Sequence, residues 1–405
     1  MNGYMKGKHL VVFLLAAILI FYMGGCENPF SQNIESANKH SNKKREKKTT
    51  EKNELNAKEE LQKNEHERVA LAQKNEEMLQ QKIRDYLNTN SLSGTIAVVR
   101  GKHILFNEGV GYTNIEKKVL NTPSTTYPIG SITKIFVSTS IMMLQERKKL
   151  TIQDPVSKYI SNFPNGDKIK LYHLLTHTSG IRSPHWQKND KTPLDLIQEI
   201  AKGSVKFQPG EKWDYLDANY MVLGYIVEKV TGTSLHEFIQ ENIFDKVPLK
   251  ETGFFTHENP EPYTSKSYVK KDDKIEKTNS LNPYLLFGCG DIYTTAYDLA
   301  QFDQALLSGK LVSKNSLEQM TTPSAAQPKY ALGIYNDYDR NYYFSIGVLG
   351  GWYSMHGYYK DNNHTQIVIL MNSRTKTTEI GSIMKNIYRI IMDSPLSSQT
   401  DLAHS

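Results

Sequence analysis

The decapeptide YPIGSITKIF, Tyr127–Phe136, constrains the fold of this chain more than any other segment. Ile129 and Gly130 read as a tight entry to a helix, and Ile132, Ile135, Phe136, Ile141, Met142 and Leu144 follow as a largely apolar run. A helix that apolar belongs in a core, where a lysine needs a partner or a task. Lys134 stands three residues after Ser131, on the same helix face and within reach of its hydroxyl. A serine hydroxyl is a poor nucleophile at neutral pH unless a base lies beside it. If burial keeps the Lys134 amine neutral, it can take the proton itself. The bare Ser-x-x-Lys spacing recurs at Ser36, Ser41, Ser267, Ser373 and Ser382, so context singles out Ser131.

The start of the chain has the pattern of a targeting signal. Lys6, Lys8 and His9 precede an apolar run from Leu10 to Met23, which is short for a membrane span. Met-Gly-Gly-Cys then resembles a bacterial lipobox, in which Cys26 would be lipidated; an uncleaved signal anchor is the alternative. Either outcome puts the folded part outside the cytoplasmic membrane, held to its outer face. Residues 1–25 are thus read as the signal and 26–85 as a charged, mostly disordered tether. Residues 33–81 are dense in Lys, Glu, Asn and Gln and bury too little apolar surface to offset chain entropy. Val69, Leu71, Leu79, Ile83 and Tyr86 predict a helix from about His66 to Leu87.

The net charge of +6 is modest, and the basic cluster Lys43–Lys48 lies in the tether. With no supporting motif, a nucleic-acid partner is excluded. Once Cys26 is acylated, Cys289 has no partner and no disulfide framework is expected. His173 and His177 stand four apart without an evident acidic third ligand, so no metal is expected.

A catalytic domain over 86–395, with a tail at 396–405, follows from the element pattern. Gly94–Arg100 and His103–Gly109 read as a hairpin through Gly101-Lys102. The region from Leu171 to about Pro323 reads as helices and loops. Strand signals return at Tyr342–Val348, Trp352–Tyr359 and Gln366–Met371, and an amphipathic helix at Ile380–Met392 closes the domain. Strands at both ends with helices between predict one sheet built from the two ends of the chain.

The segments YPIGSITKIF, KLTIQDPVSKYI, HLLTHTSGI, FQPGEKWDYLDANYMVLGYIVEKVTG and GCGDIYTTAYDLAQFDQALLSG resemble, in order, the serine β-lactamase and penicillin-binding-protein superfamily, on its class C and esterase-like side. The resemblance covers nearly all of Asn90–Arg389. It implies an α/β (α+β) fold, with an antiparallel sheet flanked by helices beside an all-helical region. It also implies acyl-enzyme chemistry without metal or organic cofactor. By the same resemblance Ser131 is the nucleophile, Lys134 its partner, and Tyr215 the proton-shuttling tyrosine of the second motif. A phenol titrates near pH 10, so Lys134 and Tyr215 are read as one coupled pair. The Ser131 N–H would supply half of an oxyanion hole and the strand around Gly347–Val348 the other half.

Two departures bear on the substrate. The second motif usually ends in Asn, and here Asp217 stands there; the third usually offers Lys or His before a glycine, and here Ser345-Ile346-Gly347-Val348 has no cation. Without that cation a substrate carboxylate loses a charge-assisted bond of about 1.5–3 kcal/mol, roughly tenfold to a hundredfold in binding. Asp217, Ser345, Gly347 and Val348 are therefore read as the substrate-binding set, favouring an ammonium over a carboxylate. A D-alanyl ester of teichoic acid fits, as in the teichoic-acid D-alanyl esterase-like branch. A D-Ala-D-Ala carboxypeptidase acting on peptidoglycan stem peptides, a class C-like β-lactamase, and a penicillin-recognising sensor without turnover are the alternatives.

Overall fold

The computed structural model describes residues 32–184, 192–271, 274–374 and 378–398. The leader and Cys26 lie outside the described residues. Two compact units divide the chain, Met1–Leu71 and Ala72–Ser405. The second unit starts at Ala72.

Helix α1 runs over Gln32–Thr89, well before the start expected near His66. No Gly or Pro interrupts those 58 residues, and Lys, Glu, Gln and Ala are good helix formers. In the first unit, Leu55, Leu61, Val69 and Leu71 are exposed. In the second, Leu79, Ile83 and Leu87 are buried in a core cluster, so only the last turns of α1 have the apolar face that packing requires. No helix of the described residues is long and apolar enough to cross a membrane.

The main sheet contains β1 (Gly94–Arg100), β2 (His103–Val110), β3 (Tyr335–Asp337), β4 (Tyr342–Leu349), β5 (Trp352–Tyr359) and β6 (Thr365–Met371). Its order is β3-β4-β5-β6-β1-β2, antiparallel throughout. Gly94 pairs with Met371 and Arg100 with Thr365, so the two ends of the chain meet in the middle of one sheet. β1 and β6 are buried along their whole lengths, which explains their near-continuous apolar sequences. On one face, Ile96, Val98, Ile367 and Ile369 pack with the end of α1 and with α9 (Ile380–Met392). α9 buries Ile380, Ile383, Met384, Ile387 and Ile391, one stripe at helical spacing.

The opposite face supports the helical region. α2 (Thr133–Glu146) is buried from Thr133 to Leu144, and the Phe136 ring stacks on Phe302 of α7 (Ala296–Leu307) at 3.9 Å. α3 (Leu171–Leu175), α4 (Pro193–Ala201), α5 (Asp217–Thr231) and α6 (Leu235–Asn242) complete the layer that joins the same core, and α8 (Lys314–Thr321) adds Met320 to it. Burying each large apolar side chain stabilises by about 1.5–3 kcal/mol, so α2 is among the best-anchored elements of the unit.

Candidate active site

Ser131 sits in a single 3-10 turn, Gly130–Ile132, directly ahead of α2. Backbone pairing fixes this turn from both sides. Tyr127–Pro128 pairs with Tyr293–Thr294, and the Ile129 N–H donates to Ile292 O at 3.0 Å. Gly130 has φ +52°, a left-handed conformation that favours glycine. A side chain there would approach Val348 N at 3.1 Å. Across the turn, a Cβ on Gly347 would lie 1.8 Å from Ile129 O and 3.3 Å from Ser131 N. Only glycine lets β4 lie this close. The serine turn and the Gly347–Val348 stretch of β4 therefore lie directly against each other.

Lys134 is 1% exposed, and its three ammonium donors meet three acceptors. Nζ lies 2.9 Å from Ser131 Oγ, 3.0 Å from Cys289 O and 2.8 Å from Asp217 Oδ1. It also stands 5.0 Å from the Tyr215 ring centroid. Burial acts to lower the lysine pKa, but Tyr215, Asp217 and the Cys289 side chain outweigh it and hold the group above its usual range. Lys134 therefore rests as an ammonium and not as the neutral amine that burial alone would give. An ammonium donates to the Ser131 hydroxyl and cannot accept its proton.

Asp217 opens α5, where a carboxylate is favoured by the helix N-terminus. One oxygen contacts Lys134 while the side chain remains 52% exposed. It is thus both an ion-pair partner and an accessible acidic group beside the serine.

The third-motif residues divide. Gly347 provides the close approach, and the Val348 side chain is 43% exposed. Ser345 is buried and donates from Oγ to Gly333 O at 3.3 Å, so its hydroxyl is engaged within the protein. Cys289 is buried, and burial pushes its thiol pKa up; its Sγ donates to Leu285 O at 3.7 Å. Its carbonyl is what reaches Lys134, a role no sequence motif carries.

Sequence reasoning missed the layer beneath Tyr215. His177 and Tyr215 have ring centroids 4.2 Å apart, and His177 contacts Tyr220 and Tyr330 at 5.2 and 5.1 Å. His173 Nδ1 accepts from Lys170 N at 3.1 Å, so the two histidines serve different local bonds.

The class of protein is set by this fold and site together. A family model described as beta-lactamase matches residues 79–385, and the chain belongs to that family. It is 38% identical over 331 residues to the putative penicillin-binding protein PbpX of Bacillus subtilis (strain 168), spanning 79% of this chain and 82% of that protein. It is 30% identical over 249 residues to the teichoic acid D-alanine hydrolase of Staphylococcus aureus, spanning 61% of this chain and 60% of that relative, less than two thirds of its length. Among solved structures, FmtA from Staphylococcus aureus matches with TM-score 0.69 and 27% identity, over 77% of this chain and 88% of that chain. The D-amino acid amidase from Ochrobactrum anthropi SV3 shares the fold, with TM-score 0.70 at 19% identity over 78% of this chain and 98% of that one. The chain is accordingly a serine hydrolase of the β-lactamase-related type.

Proposed function

We propose that the protein removes D-alanyl esters, or closely related acyl groups, from a cell-wall polymer through an acyl-enzyme on Ser131. The carrying observation is Asp217, a half-exposed carboxylate beside the nucleophile, in a site whose third-motif segment offers no cation. An ester carbonyl next to a free amine suits such a site, since a charge-assisted bond to Asp217 is worth about 1.5–3 kcal/mol. The relative named teichoic acid D-alanine hydrolase supports the same substrate class.

In the proposed reaction Ser131 Oγ attacks the ester carbonyl carbon. Its proton passes to the deprotonated Tyr215–Lys134 pair, and the oxyanion is held by the Ser131 and Val348 N–H groups. Collapse breaks the carbonyl carbon–alkoxy bond, and the pair gives the proton to the departing polymer hydroxyl. Water then attacks the D-alanyl-Ser131 ester, releasing D-alanine and restoring the serine. No step calls on a metal or an organic cofactor.

The lipobox-like segment at Cys26 supports an extracytoplasmic enzyme anchored to the outer membrane face, where this substrate lies. Incubation with D-alanylated teichoic acid should release free D-alanine, and Ser131→Ala should abolish it. Absence of release, with Ser131-dependent hydrolysis of a β-lactam or a D-Ala-D-Ala peptide instead, would replace this reading by one of those activities. A penicillin label that persists on Ser131 without turnover would indicate a sensor.

A further inference from the structure

Resting on the assignment of Tyr215 and Lys134 as the proton-transfer pair, we infer that His177 is a positioning residue for that pair, a neutral clamp that fixes the corner Tyr215-Leu216-Asp217. Residues on both sides of Tyr215 bond to this one histidine. The Asp214 N–H donates to His177 O at 2.9 Å and the Leu216 N–H to His177 Nδ1 at 3.2 Å. Asn219 Nδ2 donates to the same Nδ1 at 3.0 Å, while Ser179 Oγ donates to Asn219 Oδ1 at 2.6 Å and fixes the amide's orientation. The ring face lies under Tyr215, with centroids 4.2 Å apart and planes inclined by 36°. A single corner of chain is therefore held by main chain, ring edge and ring face of the same residue.

The bonds also dictate the protonation state. Two donors converge on Nδ1, so that nitrogen carries no proton, and Nε2–H donates to Tyr330 Oη at 3.1 Å. A second proton would break the clamp by setting a donor against two donors. Burial and the Lys134 ammonium both oppose it, and the histidine pKa lies well below its usual value. The titratable and charged groups facing His177 are Lys134 from α2, Tyr215 and Tyr220 from the chain at and within α5, and Tyr330 ahead of β3. None is an acid that would favour the imidazolium.

The clamp also accounts for the backbone of His177. Its φ of +56° is uncommon outside glycine but is adopted more readily by histidine, asparagine and aspartate, and the HTSG turn that contains it places ring and carbonyl toward the same segment. A one-ångström misplacement of a group in the reacting geometry can cost about a hundredfold. The clamp acts where the tyrosine and the aspartate meet the lysine.

Two variants separate positioning from packing. His177→Phe keeps a ring under Tyr215 and removes the acceptor; His177→Asn keeps an acceptor near Nδ1 and suits the left-handed backbone. Acylation of Ser131 by a fluorophosphonate and turnover of p-nitrophenyl acetate report on both without requiring a D-alanyl substrate. His177→Phe should lower kcat by about tenfold to a hundredfold, with KM changed less than about twofold and the pH profile displaced. His177→Asn should recover all but about threefold of the loss. The ring 15N shifts of the wild type should show Nδ1 unprotonated and Nε2 protonated from about pH 5 to about pH 9. A protonated Nδ1 in that range overturns the inference, and so does a folded His177→Phe variant with wild-type kcat and pH profile. Wild-type protein left unlabelled at Ser131 would overturn the catalytic reading, while the 15N shifts would still decide the clamp.

Discussion

Lys134 Nζ lies 2.8 Å from Asp217 Oδ1, joining the helix behind the nucleophile to the first residue of α5. The same ammonium lies 2.9 Å from Ser131 Oγ. With Tyr215 and Cys289, the aspartate is thereby one of the groups that hold the lysine charged, and it is also an exposed acidic group of the site.

Replacing Asp217 by Asn should leave the lysine buried with a weaker partner. The cost should be about 1.5 kcal/mol, the low end for a bond to a charged group because Asp217 is half exposed. The Lys134 pKa is raised on folding. Its contribution to stability is therefore fully present below the unfolded lysine value of about 10.4 and lost only as pH rises through the folded value. Urea unfolding of wild type and Asp217→Asn should show a difference that is flat from about pH 6 to about pH 9. A difference that vanishes toward pH 9 would place the lysine pKa in the neutral range, against its observed environment.

Lys134→Ala and Tyr215→Phe should each slow acylation of Ser131 by about a hundredfold or more, the scale of a lost general acid–base group. Because the two act as a pair, the double variant should be little slower than either single one. Stopped-flow labelling gives these rates. Near-normal rates in both single variants would discard the coupled-pair mechanism.

Gly347→Ala should be costly for a different reason. Its Cβ would lie 1.8 Å from Ile129 O, so β4 must move away from the serine turn. Loss of the Val348 donor should lower kcat by about 10²–10³-fold, as removal of one oxyanion donor does. Esterase turnover in a variant with intact circular dichroism measures it. Full activity would assign the second donor elsewhere.

Phe136→Ala removes the ring stacked on Phe302 and should destabilise the unit by about 3–5 kcal/mol. Below its lowered melting transition, Ser131 labelling should persist, because the Phe136 ring packs on Phe302 and Phe244 in the core. Loss of labelling in the folded variant would mean that α2 transmits core packing to the serine turn.

Much of this architecture was legible in the sequence because local patterning and tertiary burial agree. Gly94–Arg100, Trp352–Tyr359 and Ile380–Met392 emerge with their expected limits. α1 extends further than its pattern suggests: a long Lys/Glu/Gln run without breakers satisfies helix propensity while its polarity argues for a solvated coil. At the site, Ser131, Lys134 and Asp217 meet, and each is legible from its motif. The charge of Lys134 was not legible, because it depends on the three-dimensional balance between burial and its neighbours. Nor were the Cys289 carbonyl and the His177 clamp, since a main-chain acceptor and a ring-edge contact leave no residue-type signature.

Selection of an ester carbonyl beside a free ammonium is tested most directly by removing that ammonium from the substrate. The kcat/KM for a D-alanyl ester of a polyol phosphate should be compared with that for its N-acetyl-D-alanyl counterpart, in wild type and in Asp217→Asn. Acetylation should lower the wild-type value by about tenfold to a hundredfold and have a much smaller effect on Asp217→Asn. Equal turnover of the two esters by the wild-type enzyme would contradict recognition of the amine by Asp217.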